Sequence, residues 1–153
     1  MKNKVFKLLL VLVVVLSLVA CSGGNSGLTK TEYSGSIFGV EMGQTFYSKG
    51  DEIHKVVMFM SSEIGEGKPF ATKEEAESAN DMFGADFKGM KGVKVDKKVD
   101  EKKVSVSVEV DLDQLSEAEL KEFTKSMKVG GNSKYPSLKE AEKSASEIGL
   151  KKK

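Results

Sequence analysis

The chain has 153 residues, of which 39% are hydrophobic and 31% charged, a balance that suits one folded domain and excludes a disordered chain. All 24 basic residues are lysine, so the usual bidentate reader of phosphate and guanine is missing. Without Lys2, Lys4 and Lys7, which fall in a leader described next, 21 lysines face 23 acidic residues for a net charge of −2, and a nucleic-acid partner is not expected. One cysteine excludes an intrachain disulfide, and one histidine excludes a metal site built on a His pair.

The first 20 residues have the layout of a secretory signal peptide. A basic segment, Met1–Lys7, precedes the apolar run Leu8–Leu16, and Leu18–Val19–Ala20 leads directly into Cys21. From Leu8 to Ala20 the stretch is 13 residues, short of the ~20 needed to cross a bilayer as a helix. Leu18-x-Ala20-Cys21 resembles the lipobox of bacterial lipoproteins. That resemblance implies cleavage before Cys21, addition of diacylglycerol to its sulfur, and a new amino group open to acylation. Two acyl chains give stable attachment where one gives only marginal attachment. Cys21 is then an anchor rather than a nucleophile or redox thiol. Residues 21–28 form the lipidated cysteine and a tether, of which Ser22–Gly27 (SGGNSG) has a root-mean-square reach of about 13–15 Å. The expected location is the cell membrane, lipid-anchored on its extracytoplasmic face.

Residues 29–153 read as a single domain. Ile37–Ser48 and Ile53–Ser61 are rich in β-branched and aromatic residues and flank the turn signal Lys49–Gly50–Asp51, which predicts a β-hairpin. Val56–Met60 (VVMFM) is apolar on both faces, as in a central, covered strand. Gly39, Gly43 and Gly50 suit bulges or close backbone approach in this hairpin. A loop over Ser62–Ala71 leads to Thr72-x-x-Glu75, a capping box, and to a helix with Ala76, Ala79, Phe83 and Phe87 on one stripe. Val93 and Val95 open a third strand. The fourth is the plainest: Val104, Val106, Val108, Val110 and Leu112 alternate with Ser105, Ser107, Glu109, Asp111 and Asp113, the period of a strand with one buried face.

Ser116-x-x-Glu119 repeats the capping pattern before Leu120, Phe123 and Met127. After a loop at 130–136, Ser137-x-x-Glu140 starts a last helix with Leu138, Ala141, Ala145 and Ile148 on one side, ended by Gly149 with Leu150 as its hydrophobic partner. The predicted order is ββαββαα. That order implies an α+β domain with an antiparallel sheet packed by helices on one face.

The local wording carries a family likeness. Lys30–Thr31–Glu32–Tyr33–Ser34–Gly35 follows the tether, and Thr72–Lys73–Glu74–Glu75–Ala76 opens a helix. Lys88–Gly89–Met90–Lys91–Gly92–Val93 precedes the Val/Glu/Asp strand, and Ser137–Leu138–Lys139–Glu140–Ala141 leads to Gly149–Leu150. Together with the lipobox this resembles the YehR-like small bacterial lipoproteins, over nearly the whole mature chain. The resemblance implies a two-layer α/β sandwich and an extracytoplasmic lipoprotein; it implies no activity and no catalytic residue.

Three constellations invite chemistry. Glu109, Asp111 and Asp113 set three hard-oxygen ligands on one strand face, but alternate residues are nearly 7 Å apart, and a solvated face paired to lysines such as Lys94 is the expectation. His54 lies near Ser48, Asp51 and Glu52, without the nucleophile elbow or oxyanion hole that a hydrolase needs. His54, Met58 and Met60 share a strand face, where methionines read as core filler rather than haem or copper ligands. Phe38, Phe46, Phe59, Phe70, Phe83, Phe87 and Phe123 are likewise assigned to the core. Lys151–Lys153 would favour an anionic membrane surface or form a solvated terminus. The expectation is a non-enzymatic interaction module without catalytic residues, metal or cofactor. Its partners would be the membrane, through the lipid on Cys21, and an envelope protein or small ligand. The alternative is a carrier of a small ligand or divalent cation.

Overall fold

A computed structural model describes residues 27–85, 87, 89–127 and 134–153. The leader, Cys21 and most of the tether lie outside these residues, as do positions 130–133 of the last predicted loop.

The alternation of β5, Lys103–Asp111, sets the plan. Val104, Val106, Val108 and Val110 are buried to within a few per cent, while Ser105, Ser107 and Glu109 are half-exposed. β5 pairs antiparallel with β3 (Glu52–Glu63) on one side and β4 (Val93–Val99) on the other. β2 (Val40–Lys49) adds to β3, β1 (Thr29–Ile37) to β2, and β6 (Lys151–Lys152) to β1, giving the order β4-β5-β3-β2-β1-β6. Register aligns Val56, Met58 and Met60 with the β5 valines, and Phe46 with Val56. Three helices, α1 (Lys73–Ala85), α2 (Glu117–Ser126) and α3 (Leu138–Glu147), accompany the sheet among the described residues. Leu120 and Phe123 of α2 and Ala141 and Ala145 of α3 share one core with Phe46, Val56 and the valines. From α1, Ala76 is fully buried and the Asn80 side-chain amide donates to the Ser105 carbonyl. Ala79 is half-buried, and the Phe83 side chain falls outside the described residues.

The domain is thus α+β with a six-stranded antiparallel sheet, but the strand order differs from expectation in three places. The first predicted strand begins too late: Thr29–Ile37 is a strand of its own, and the chain reverses at Phe38–Gly39 between the paired residues Ile37 and Val40. Both turn residues have positive φ, 51° and 81°, the geometry of a tight hairpin. Asn-Gly usually fills it, and a phenylalanine at that φ costs about 1 kcal/mol, so no turn signal marks Phe38. The chain also continues past Leu150 into β6. Finally, β5 ends at Asp111, and Leu112–Gln114 turns away as a short 3-10 segment, so Asp113 is not on the strand.

Predicted ends hold at the helices. Glu75 N–H donates to Thr72 Oγ1, and Thr72 N–H to the Glu75 carboxylate. Ser116 and Glu119 form a complete capping box. Ser137 Oγ accepts from Glu140 N–H but donates to Asp51 rather than to the Glu140 side chain. Asp51 also accepts from Lys139 N–H, so the β2–β3 turn clamps the start of α3; those bonds, the backbone one first, hold its carboxyl below the usual range. Gly149, at φ 91°, ends α3, with Leu150 N–H returning to the Ala145 carbonyl. Of the phenylalanines assigned to the core, Phe38 is 97% exposed and Phe59 39%.

Gly92 joins β4 to the end of β5. Its φ is 75°, and a Cβ there would lie 2.6 Å from Gln114 Cβ and 2.8 Å from the Asp111 carbonyl oxygen. Gly92→Ala should therefore destabilise the domain by at least ~2 kcal/mol in urea unfolding. Gly50→Ala, at φ 62° with open space around it, should cost only the backbone strain, about 1 kcal/mol.

Candidate functional site

The side chains of opposite parity form the other face of the sheet. One row across the strands runs Lys30, Tyr47, Lys55, Asp111; the next Glu32, Thr45, Val57, Glu109, Lys94; the third Ser34, Gly43, Phe59, Ser107, Asp96. Lys30, Glu32, Ser34, Thr45, Ser107 and Glu109 of these rows, with Lys153, line a groove of about 560 Å³ whose floor is Val57, Phe59, Tyr47 and the backbone at Gly43. The volume falls within the range of small-molecule sites, ~300–1,000 Å³. Gly43 leaves a depression: a Cβ would meet Phe59 Cβ at 3.8 Å and the Tyr33 carbonyl oxygen at 3.6 Å, ordinary contacts. Two sets of ions rim the groove. Lys55 Nζ lies 3.0 Å from Glu109 and 5.3 Å from the Tyr47 ring centroid, with Lys94 3.6 Å from the same carboxylate. Lys30 pairs with Glu32 at 2.8 Å. The apolar floor and fixed charges suit an amphipathic ligand.

The acidic row does not converge. Glu109 is held by Lys55 and, as the sequence suggested, by Lys94. Asp111 caps the 3-10 turn through Asp113 N–H and accepts from Gln114 at 2.6 Å. Asp113 turns toward His54. No group of three or more His, Cys, Asp or Glu side chains among the described residues is placed to hold a metal ion.

His54 sits where the β2–β3 register slips, between Tyr47–Lys55 and Ser48–Ile53. The bulge re-aims its ring, and its carboxylate partner is Asp113 rather than the neighbouring Asp51 or Glu52. Nδ1 lies 2.9 Å from Asp113 Oδ1, the Tyr135 hydroxyl donates to the same oxygen at 2.7 Å, and the His54 and Tyr135 rings are 4.4 Å apart. A carboxylate only accepts, so Nδ1 carries the hydrogen of this bond. Nε2 and the Ser48 hydroxyl are both buried without a hydrogen-bond partner among the described residues, so the two do not bond to each other. Met58 and Met60 pack against the core. The sequence held no signal for this trio, since Asp113 is 59 residues from His54. Burial opposes ionisation of Asp113, but the hydrogen bonds from His54 and Tyr135 outweigh it and hold the carboxyl below its usual value. The bond to Asp113, aided by burial, pushes the Tyr135 phenol up to about 12.

Residues 29–151 match the family of proteins of unknown function designated DUF1307. The chain belongs to that family. It is 31% identical over 148 residues to an uncharacterised lipoprotein, Lin0239, of Listeria innocua, covering 94% of this chain and 91% of the relative. Among solved structures, the Escherichia coli YehR protein superposes with a TM-score of 0.64 at 18% identity, over 82% of this chain and 90% of YehR. A Streptococcus pneumoniae protein superposes at 0.50 with 12% identity, over 87% and 89%. Those two likenesses establish the fold, and the family match bears out the YehR-like resemblance read from the sequence.

For this DUF1307 domain the trio makes a direct prediction. A raised phenol contributes stability that is complete below pH ~10 and is lost as pH climbs toward the folded value. Asp113→Asn should bring Tyr135 back toward an ordinary tyrosine. Near pH 11, about midway, ring-carbon NMR should show Tyr135 mostly protonated in the parent and mostly ionised in the variant.

Proposed function

We propose that this DUF1307 protein is a lipid-anchored lipoprotein on the extracytoplasmic face of the cell membrane, and that its domain is a non-enzymatic interaction module. The partner, an envelope protein, would sit on the open face of the sheet. The observation behind the binding role is the groove itself, with an apolar floor of Val57, Phe59 and Tyr47 between ion pairs. Exposed aromatic side chains beside fixed charges are the usual anchors of recognition surfaces. The anchor rests on Leu18-x-Ala20-Cys21 and on the lipoprotein name of the Listeria relative. No helix among the described residues is long and apolar enough to cross a membrane. The non-enzymatic reading is supported by the His54 geometry: Nε2 is buried, with no hydroxyl in hydrogen-bond reach among the described residues. A second reading, a carrier for a small ligand, uses the same groove and is favoured by its volume.

Four variants test the proposal. Cys21→Ala should abolish fatty-acid labelling and move the protein out of the membrane fraction. A photo-crosslinking residue in place of Phe59 should capture a discrete envelope protein in cells, and the same residue in place of Met82, exposed on α1, should not. Gly43→Val fills the depression with a β-favouring side chain at a non-strained position, so the melting temperature should hold while capture falls by tenfold or more, on the order of 1.4 kcal/mol. Equal capture from positions 59 and 82 would defeat the groove. Capture only of a small molecule would select the carrier.

A further inference from the structure

Two features along the β1 edge of the sheet lie outside the groove's apolar floor, though the second, a lysine run, reaches the groove's lining at Lys153. Phe38 stands at the tip of the β1–β2 hairpin, 97% exposed and at positive φ. The tip backbone is not loose: a Cβ at the adjacent Gly39 would come within 3.3 Å of Pro69. So the fold fixes the turn and projects the ring into solvent, against both backbone preference and the hydrophobic effect. The second feature is the lysine run that forms β6. Tyr33 pairs with Lys152 and Ser34 with Lys151, and Lys153 N–H donates to the Glu32 carbonyl, so three exposed lysines are strung along β1. Lys152 pairs with Glu142 at 2.8 Å, while Lys151 and Lys153 have no ion pair among the described residues.

Chain connectivity aligns these features with the anchor. Thr29 follows Cys21 by eight positions, at most ~29 Å of chain. From Thr29 to Ile37 the strand runs on for about 27 Å. Thr29, where the tether joins the sheet, the lysine strand and the aromatic tip therefore lie in that order along one edge.

We propose that this edge docks on an anionic phospholipid surface, with the β6 lysines among the headgroups and Phe38 wedged at the bilayer interface. The sheet then stands edge-on to the membrane and its groove faces sideways. The proposal rests on the lipid anchor at Cys21. A few lysines and one phenylalanine would bind a membrane weakly from solution. On a short tether the contact is intramolecular, at an effective concentration in the millimolar range, and weak contacts suffice. Lysines act here as point charges near phosphates and need no bidentate geometry.

The chain has no tryptophan, so Phe38→Trp introduces a single reporter. The full lipidated protein with this change would be reconstituted into vesicles of phosphatidylglycerol and phosphatidylcholine carrying brominated acyl chains. Docking predicts flotation with the vesicles, blue-shifted indole emission and quenching by the bromines. Lys151→Gln with Lys153→Gln should lower the docked-to-undocked ratio by about fivefold per lysine, with an unchanged circular dichroism spectrum. If the protein floats but its indole emits as in water, docking is wrong, the anchor stands, and the tip is left for a protein partner. If it does not float, the anchor fails and docking falls with it. Equal quenching in pure phosphatidylcholine would overturn the electrostatic part.

Discussion

The four β5 valines are packed against β3 and β4 laterally and against helical residues from above, and the rest of the molecule is arranged to keep them dry. Their partners across the sheet, Val56, Met58 and Phe46, extend the apolar layer. Ala76, Ala141 and Ala145 let the helix backbones approach it closely. At ~25 cal/mol per Å² of apolar surface, such a layer is the main favourable term in a domain that has no disulfide. Because strand side chains alternate, packing one parity against the helices leaves the other parity to form a second surface.

That second surface has a different make-up. On it the strands carry serines, threonines and ion pairs, as a solvated face would, except for the run of Tyr47, Val57 and Phe59 beside the gap at Gly43. The Lys55–Glu109 pair is mostly buried, with 11% and 20% of the two side chains exposed, so its charges are held in place rather than mobile. At the tether end of the same sheet, the bulge at His54 and the turn at Asp51 tie the strands to 113, 135 and the start of α3. At the far end the hairpin projects Phe38. One sheet thus positions a groove, a fixed polar knot and an aromatic tip, with the chain entering along the edge that joins them.

How much of this could be read from the residues depended on whether the cause was local. β5 was legible because its period of two runs without interruption, and the helix starts because Thr72, Ser116 and Ser137 make their capping bonds within three residues. β1 was not read as a strand although Thr29, Thr31, Tyr33 and Ile37 recur with a period of two: Gly35 and the serines around it break the apolar pattern, and the segment is held by pairing with β2 on one edge and β6 on the other. Its turn was hidden because Phe38 occupies a position where asparagine or glycine is the usual marker. The extension of β5 to Asp113 failed because the capping carboxylate of Asp111 turns the chain two residues early. The His54–Asp113–Tyr135 trio depends on a register slip and on contacts across the fold, neither of which leaves a local pattern. The exposure of Phe59 has the same origin, since which parity faces the helices is decided by β5 and not by β3, whose own sequence is apolar on both sides.

The central claim is that the uncovered face of the sheet is the surface this lipoprotein uses. Carbene footprinting of the protein in intact cells, compared with the purified, detergent-solubilised protein, tests it most directly. Tyr47, Val57 and Phe59 are expected to be labelled in the purified protein and protected in cells, while Met82 on α1 is labelled equally in both. Equal labelling of the three groove residues in both settings, or protection confined to the helices, would contradict it.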